Sequence, residues 1–115
     1  MDLSKRVAVI TGGASGIGRA VAAGMARRNV TGVALVDVSE AVEDIAERLN
    51  AEAGRTFAIP FQGDTTDERF RASVYDAISR KYGRVSLCVP AAGITRDDLA
   101  VRIDKATGKA RIYPV

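Results

Sequence analysis

Apolar residues alternate between two rhythms along this chain. Short runs are apolar at nearly every position: Val7-Ala8-Val9-Ile10, Gly32-Val33-Ala34-Leu35-Val36, Thr56-Phe57-Ala58-Ile59 and Val85-Ser86-Leu87-Cys88-Val89. Runs of that kind, apolar on both faces, suit strands inside a parallel sheet covered by helices. Between them, apolar residues recur every three or four positions, which marks amphipathic helices. Ile17, Val21, Gly24, Met25 and Arg28 fall at helical spacing, with Ala20, Ala22 and Ala23 among them. Val42, Ile45, Ala46, Leu49 and Ala53 share one face of a second helix, with Ser39 placed to cap its start and Gly54 its end. Asp44 and Arg48 form a favourable pair four residues apart on its wet side. In the third helix Phe70, Val74, Ala77 and Ile78 point inward, and Gly83 ends it. Pro60 is expected to close the third strand.

Strands alternating with helices predict βαβ units and a parallel sheet. The segment from Ile94 to Val115 breaks the alternation. There Val101 and Ile103, then Ala110 and Ile112, alternate with polar neighbours around Asp104 to Lys109, which predicts an exposed β-hairpin. The expected organisation is one unit over residues 1–93 and an extension over 94–115. No internal repeat interrupts it.

A chain of 115 residues forms one domain, below the usual size of a complete doubly wound enzyme. Its apolar fraction of 47% and charged fraction of 27% belong to an ordinary globular protein. Seventeen basic against fourteen acidic residues leave +3, with no like-charged block and no aromatic–basic interleaving, so a nucleic-acid surface is not indicated. Cys88, the sole cysteine, sits in an apolar run and is expected to be a small buried hydrophobe. One cysteine allows no internal disulfide, which fits the reducing cytoplasm. No long apolar segment follows the N-terminal charges, so neither a signal peptide nor a membrane span is expected. The chain has no histidine, which removes the commonest metal ligand and general base. No metal site is expected.

The first strand runs straight into Thr11-Gly12-Gly13-Ala14-Ser15-Gly16-Ile17-Gly18 and then a helix. A strand, a glycine-rich turn and a helix start are the parts that hold a pyrophosphate, because the first helical N–H groups and the positive end of the helix dipole face the anion. Gly12 permits the turn, Gly16 lets backbone approach a phosphate, and Gly18 lets the helix lie close to the strand. A P-loop is excluded, since Arg19 and Ala20 stand where Lys and Ser/Thr are required. With a phosphate loop after the first strand and right-handed crossovers, the strand order becomes 3-2-1-4 in a Rossmann-like, three-layer, doubly wound α/β sheet.

Thr11 followed by Gly-x-x-x-Gly-x-Gly resembles the signature of the short-chain dehydrogenase/reductase family, and the resemblance runs from Lys5 to Gly93. It implies an NAD-dependent oxidoreductase passing hydride between a nicotinamide and a carbonyl or alcohol, represented here by its cofactor-binding half. Within the loop, Gly12, Ser15, Gly16, Ile17 and Gly18 are the candidate cofactor contacts. Asp37 ends the second strand nineteen residues beyond Gly18, where a carboxylate can accept hydrogen bonds from an adenosine ribose. Its charge would repel a 2′-phosphate, and Ser15 stands where phosphate-preferring members often carry a basic residue, so NAD is favoured over NADP. Asp37 alternatively only begins a turn. Asp64 is similar to the family's adenine-contacting aspartate, and equally could belong to a turn and helix cap. Pro90-Ala91-Ala92-Gly93 resembles the family's Asn-Asn-Ala-Gly: Ala92 and Gly93 match, while Pro90 and Ala91 replace both asparagines.

The family's catalytic serine and Tyr-x-x-x-Lys have no counterpart. Ser79 follows Tyr75 and Ser86 follows Tyr82 at the lysine position, and Tyr113 lies two residues before the last. No catalytic residue is assigned, and these 115 residues alone are expected to lack turnover. The competing expectation is a noncatalytic nucleotide-binding or interaction module, pairing with another chain through the fourth strand's edge.

Overall fold

The computed structural model describes residues 1–91, 99–103 and 110–114. Its elements run β1 (Val7–Thr11), α1 (Gly16–Arg27), β2 (Gly32–Asp37), α2 (Ala41–Ala53), β3 (Ala58–Gln62), α3 (Glu68–Tyr82) and β4 (Leu87–Pro90). They are followed by β5 (Leu99–Ile103) and β6 (Ala110–Pro114). The first four strands form one sheet in the order β3-β2-β1-β4. All its pairings are parallel, with Val9 opposite Ala34 on one side and Cys88 on the other. Strands β5 and β6 form a separate antiparallel pair in which Ile103 opposes Ala110, as the alternating pattern predicts.

Alternation along β1 and β2 sorts their side chains into two cores. Ala8, Ile10, Val33 and Leu35 face α1 and α2, joined by Ala22, Val42, Ala46 and Leu49. Val7, Val9, Ala34 and Val36 face α3, joined by Val74 and Ile78. Both sheet faces are thus covered, which is why these strands are apolar throughout. Fully burying a Val or Ile side chain contributes about 1.5–3 kcal/mol.

Three local devices fix the helices to the sheet. The Asn50 amide oxygen accepts from the Phe57 and Ala58 N–H groups (3.0 and 2.8 Å), and its Nδ2 donates to the Ala58 carbonyl (2.9 Å). One side chain thereby ties the end of α2 to the start of β3. Gly54 ends α2 in the left-handed region at φ 71°, as its capping position predicts. Asp44 and Arg48 pair at 3.3 Å on the exposed face.

Several expectations are corrected. Strand β3 does not stop at Pro60 but runs through it. The Phe57 carbonyl accepts from Val33 N–H, and Gly63 N–H donates to the Asp37 carbonyl, so odd-numbered residues of β3 bond to β2. Pro60 therefore turns its missing donor to the free side, where an edge strand tolerates it. Cys88 is exposed rather than buried. Residues 87 and 89 of edge strand β4 point to the α1–α2 core, which puts Cys88 on the opposite face, with the Tyr75 hydroxyl of α3 3.5 Å from its Sγ. Ala77 is exposed too, because Val74 and Ile78 alone are buried on α3. In α1 the fully buried residues are Gly18 and Ala22; Ile17, Val21 and Met25 pack at the margin, and Arg28 is exposed. Helix α2 begins after Glu40, yet the Ser39 hydroxyl still accepts the Ala41 N–H at 3.1 Å. Strand β4 starts at Leu87, two residues later than its apolar run suggests.

Candidate functional site

Parallel strands place their carboxyl ends on one edge of the sheet: Thr11, Asp37, Gln62 and Pro90. From β1 the chain crosses to β2 through α1 on one face, and from β3 it crosses to β4 through α3 on the other. The strand order reverses beside β1, which opens a crevice at this edge.

The glycine loop lies at that crevice. Gly12 turns out of β1 at φ 71°, a conformation available to glycine at little cost. The Gly13 N–H donates to the Val36 carbonyl at 2.8 Å, holding the loop against β2. Ser15 is the N-cap of α1 in extended conformation (φ −72°, ψ 158°). Its hydroxyl accepts the Gly18 N–H at 3.0 Å and donates to the Gly12 carbonyl at 2.7 Å. Among the described residues, the Gly16 and Ile17 N–H groups have no partner. Two free donors at a helix start, beside a dipole's positive end, form an anion seat. A Cβ at Gly16 would meet nothing within 4 Å, so the space beside it is open. Gly18 is needed for a different reason from the one its spacing suggests: a Cβ there would collide with the Gly12 carbonyl, so it serves the turn before it serves the strand. Gly13 also proves indispensable, since its Cβ would fall 2.5 Å from Leu35 Cγ.

Asp37 stands beside the loop, partly buried. Its Oδ2 accepts the Ala14 N–H at 2.9 Å and its Oδ1 accepts the Ser39 N–H at 3.0 Å. It does begin a turn, and its bond to the Ala14 N–H ties it to the glycine loop as well. Each carboxylate oxygen keeps acceptor capacity for a hydroxyl pair. Val38 follows it with 66% exposure, an apolar surface beside the carboxylate that the strand pattern passes over. An apolar residue directly after a strand-ending acid is the sequence signal that could have found it.

Asp64 is exposed, and its Oδ1 accepts from the Thr66 N–H (2.9 Å) and hydroxyl (2.7 Å). Those hydrogen bonds, the backbone one foremost, hold its carboxyl below the usual 3.8. The cap of α3 is Asp67, which accepts from the Arg69 and Phe70 N–H groups. Asp64 therefore has a turn role in full. Ala92 and Gly93 lie outside the described residues, as does the boundary at residue 93.

Proton-transfer chemistry finds no prepared group on α3. The Tyr75 hydroxyl is raised above 10.0 by its hydrogen bond with Cys88 and by burial, and the Tyr82 hydroxyl is raised by burial. Both shifts run against proton transfer near neutrality. Among the described residues no cluster of three metal-ligating side chains occurs, and no helix is long and apolar enough to cross a membrane.

Comparison with known proteins places this geometry. Residues 6–113 match the short chain dehydrogenase family. The chain is 40% identical over 91 residues to cis-4-hydroxycyclohexanecarboxylate dehydrogenase of Sinomonas cyclohexanicum, covering 79% of this chain and 35% of that protein. It is 34% identical over 103 residues to 3-oxoacyl-(acyl-carrier-protein) reductase FabG of Thermotoga maritima, covering 90% and 41%. Among solved structures, a short-chain type dehydrogenase/reductase from Mycobacterium ulcerans superposes with a TM-score of 0.72 at 27% identity, covering 91% of this chain and 38% of that one. The chain thus spans between about a third and two fifths of the length of its relatives.

Proposed function

The chain belongs to the short-chain dehydrogenase family, and from that premise we propose that residues 1–93 are the NAD-binding half of an oxidoreductase acting on a carbonyl or alcohol. Residues 94–115 lead toward the half that would carry proton transfer and substrate choice. The single observation that carries the reading is the pair of unpartnered amides at Gly16 and Ile17 beside the Asp37 carboxylate.

The pyrophosphate would sit on the Gly16 and Ile17 N–H groups, with Gly12, Ser15 and Gly18 shaping the cradle. Asp37 would accept hydrogen bonds from the adenosine ribose diol, with Val38 beneath the adenine and Asp64 at its rim. Ala92 and Gly93 would let the nicotinamide ribose approach the backbone. The bound nicotinamide supplies the hydride donor or acceptor; this half of the protein binds it, orients it and keeps its phosphates desolvated. Asp37 supports NAD over NADP, because a 2′-phosphate would be brought against a carboxylate with no Arg or Lys beside it in sequence. A lone cysteine supports a reducing, cytoplasmic setting.

Titration of the 115-residue chain with NAD and NADP tests the reading. Tighter binding of NAD by about tenfold or more is expected, since one like-charge contact costs at least about 1.4 kcal/mol. Equal affinities would remove the NAD assignment, and binding of neither would remove the dinucleotide reading. No reduction of carbonyl substrates is expected from this chain with NADH, because neither Tyr75 nor Tyr82 has a lysine four residues on.

A further inference from the structure

The glycine loop has two ties to β2. One is backbone to backbone, Gly13 N–H to the Val36 carbonyl. The other is the Ala14 N–H donating to Asp37 Oδ2 at 2.9 Å, the one side-chain tie among the described residues. An ionised acceptor makes this the stronger kind of hydrogen bond. The second oxygen is held in turn by the Ser39 N–H at 3.0 Å, so the carboxylate is fixed from its own side before any ligand arrives. The same loop then presents the free Gly16 and Ile17 amides two and three residues further on.

We propose that Asp37 is a positioning residue for the phosphate seat as well as a ribose contact, holding the loop from Ala14 to Ile17 in its binding shape in the free protein. The proposal rests on the dinucleotide reading and deepens it: the ribose and pyrophosphate positions are mechanically joined through one carboxylate. Asp37 then influences ligands that never touch it. Charge alone predicts the reverse, since removing an acid beside an anion seat strengthens anion binding.

Inorganic pyrophosphate separates the two, because it has no ribose. In the full chain, Asp37→Ala is expected to weaken pyrophosphate binding several-fold by NMR titration. The Ala14 amide is expected to exchange with solvent at least about tenfold faster in the free variant, the size expected for a lost hydrogen bond to a charged group. Asp37→Asn keeps the shape but its amide can serve only one of the two N–H groups, so it falls between. Protected Val9 and Ile10 amides report that the sheet is intact; should the alanine variant unfold, the asparagine variant decides. Unchanged Ala14 exchange, or pyrophosphate binding equal to or tighter than that of the wild type, overturns the proposal. Failure of the wild type to bind NAD, with the exchange order kept, sinks the dinucleotide reading and leaves the tether standing.

Discussion

At the scale of single residues, the glycines of the loop divide into two kinds that the spacing alone does not separate. A Cβ at Gly13 would fall against Leu35, whereas one at Gly16 would enter open space. Gly13→Ala is therefore expected to cost about 1–3 kcal/mol in a denaturant melt, as overpacking does. Gly16→Ala is expected to leave the melt nearly unchanged while abolishing measurable NAD binding, because only the ligand needs that space. Equal effects of the two on stability would contradict the geometry. Asp64 gives a test in pH. Its folded carboxyl lies below the ordinary 3.8, so the turn it holds is favoured above that value and loosens as pH falls through the lower folded one. Thr66→Val, which deletes the hydroxyl donor and keeps the N–H, is expected to move the Asp64 carboxyl back toward 3.8 in an NMR titration.

At the scale of elements, the sequence announces every strand and helix of residues 1–91, and it does so because burial on both faces leaves little choice of residue. Where it misleads, the cause is something periodicity does not encode. Pro60 reads as a stop only if the strand has neighbours on both sides; on an edge it is permitted. Cys88 reads as buried only if the face beyond Tyr75 is covered. The site follows the same division. Asp37 is legible from its distance to the loop, but its bond to Ala14 is not, and Val38 is invisible to a pattern that counts only inward positions. Asn50 is likewise unmarked, a polar residue near a helix end whose three hydrogen bonds tie α2 to β3. Asn50→Ala is expected to lower stability by about 2–3 kcal/mol, since it strands the Phe57 and Ala58 amides. A loss below about 0.5 kcal/mol would show that water replaces the side chain there.

At the scale of the whole molecule, much of the charge is sorted along the strand axis, with Arg19, Arg69 and Arg71 near helix starts and Glu52 near the end of α2 as exceptions. Asp37, Glu40, Glu43, Asp44, Asp64, Asp67 and Glu68 lie at the end where strands finish and helices begin. Lys5, Arg6, Arg55 and Arg84 precede strands at the other end, joined by Arg27, Arg80 and Lys81 in the last turns of α1 and α3. Glu43, Asp44 and Glu68 in first turns, and Arg27, Arg80 and Lys81 in last turns, carry the sign that favours their helix terminus. On the proposed reading, an anionic dinucleotide would approach a largely acidic end and be held there by backbone N–H groups. Affinity for NADH is therefore expected to stay level or rise as salt is raised from about 0.05 to 0.3 M, because screening relieves repulsion. A steep fall over that range would show that arginine or lysine side chains hold the phosphates.

The proline in β3 reaches further than the strand that contains it. Among the described strands, β3 and β4 are the two borders of the larger sheet. The β3 border lacks a donor at its middle residue, Pro60, so an incoming strand finds a broken ladder there. Beside β4 the outward Leu87 and Val89 amides interrupt nothing. Among the described strands, the backbone ladder is thus broken on the β3 border and unbroken on the β4 border, so a further strand of the sheet fits beside β4 and not beside β3.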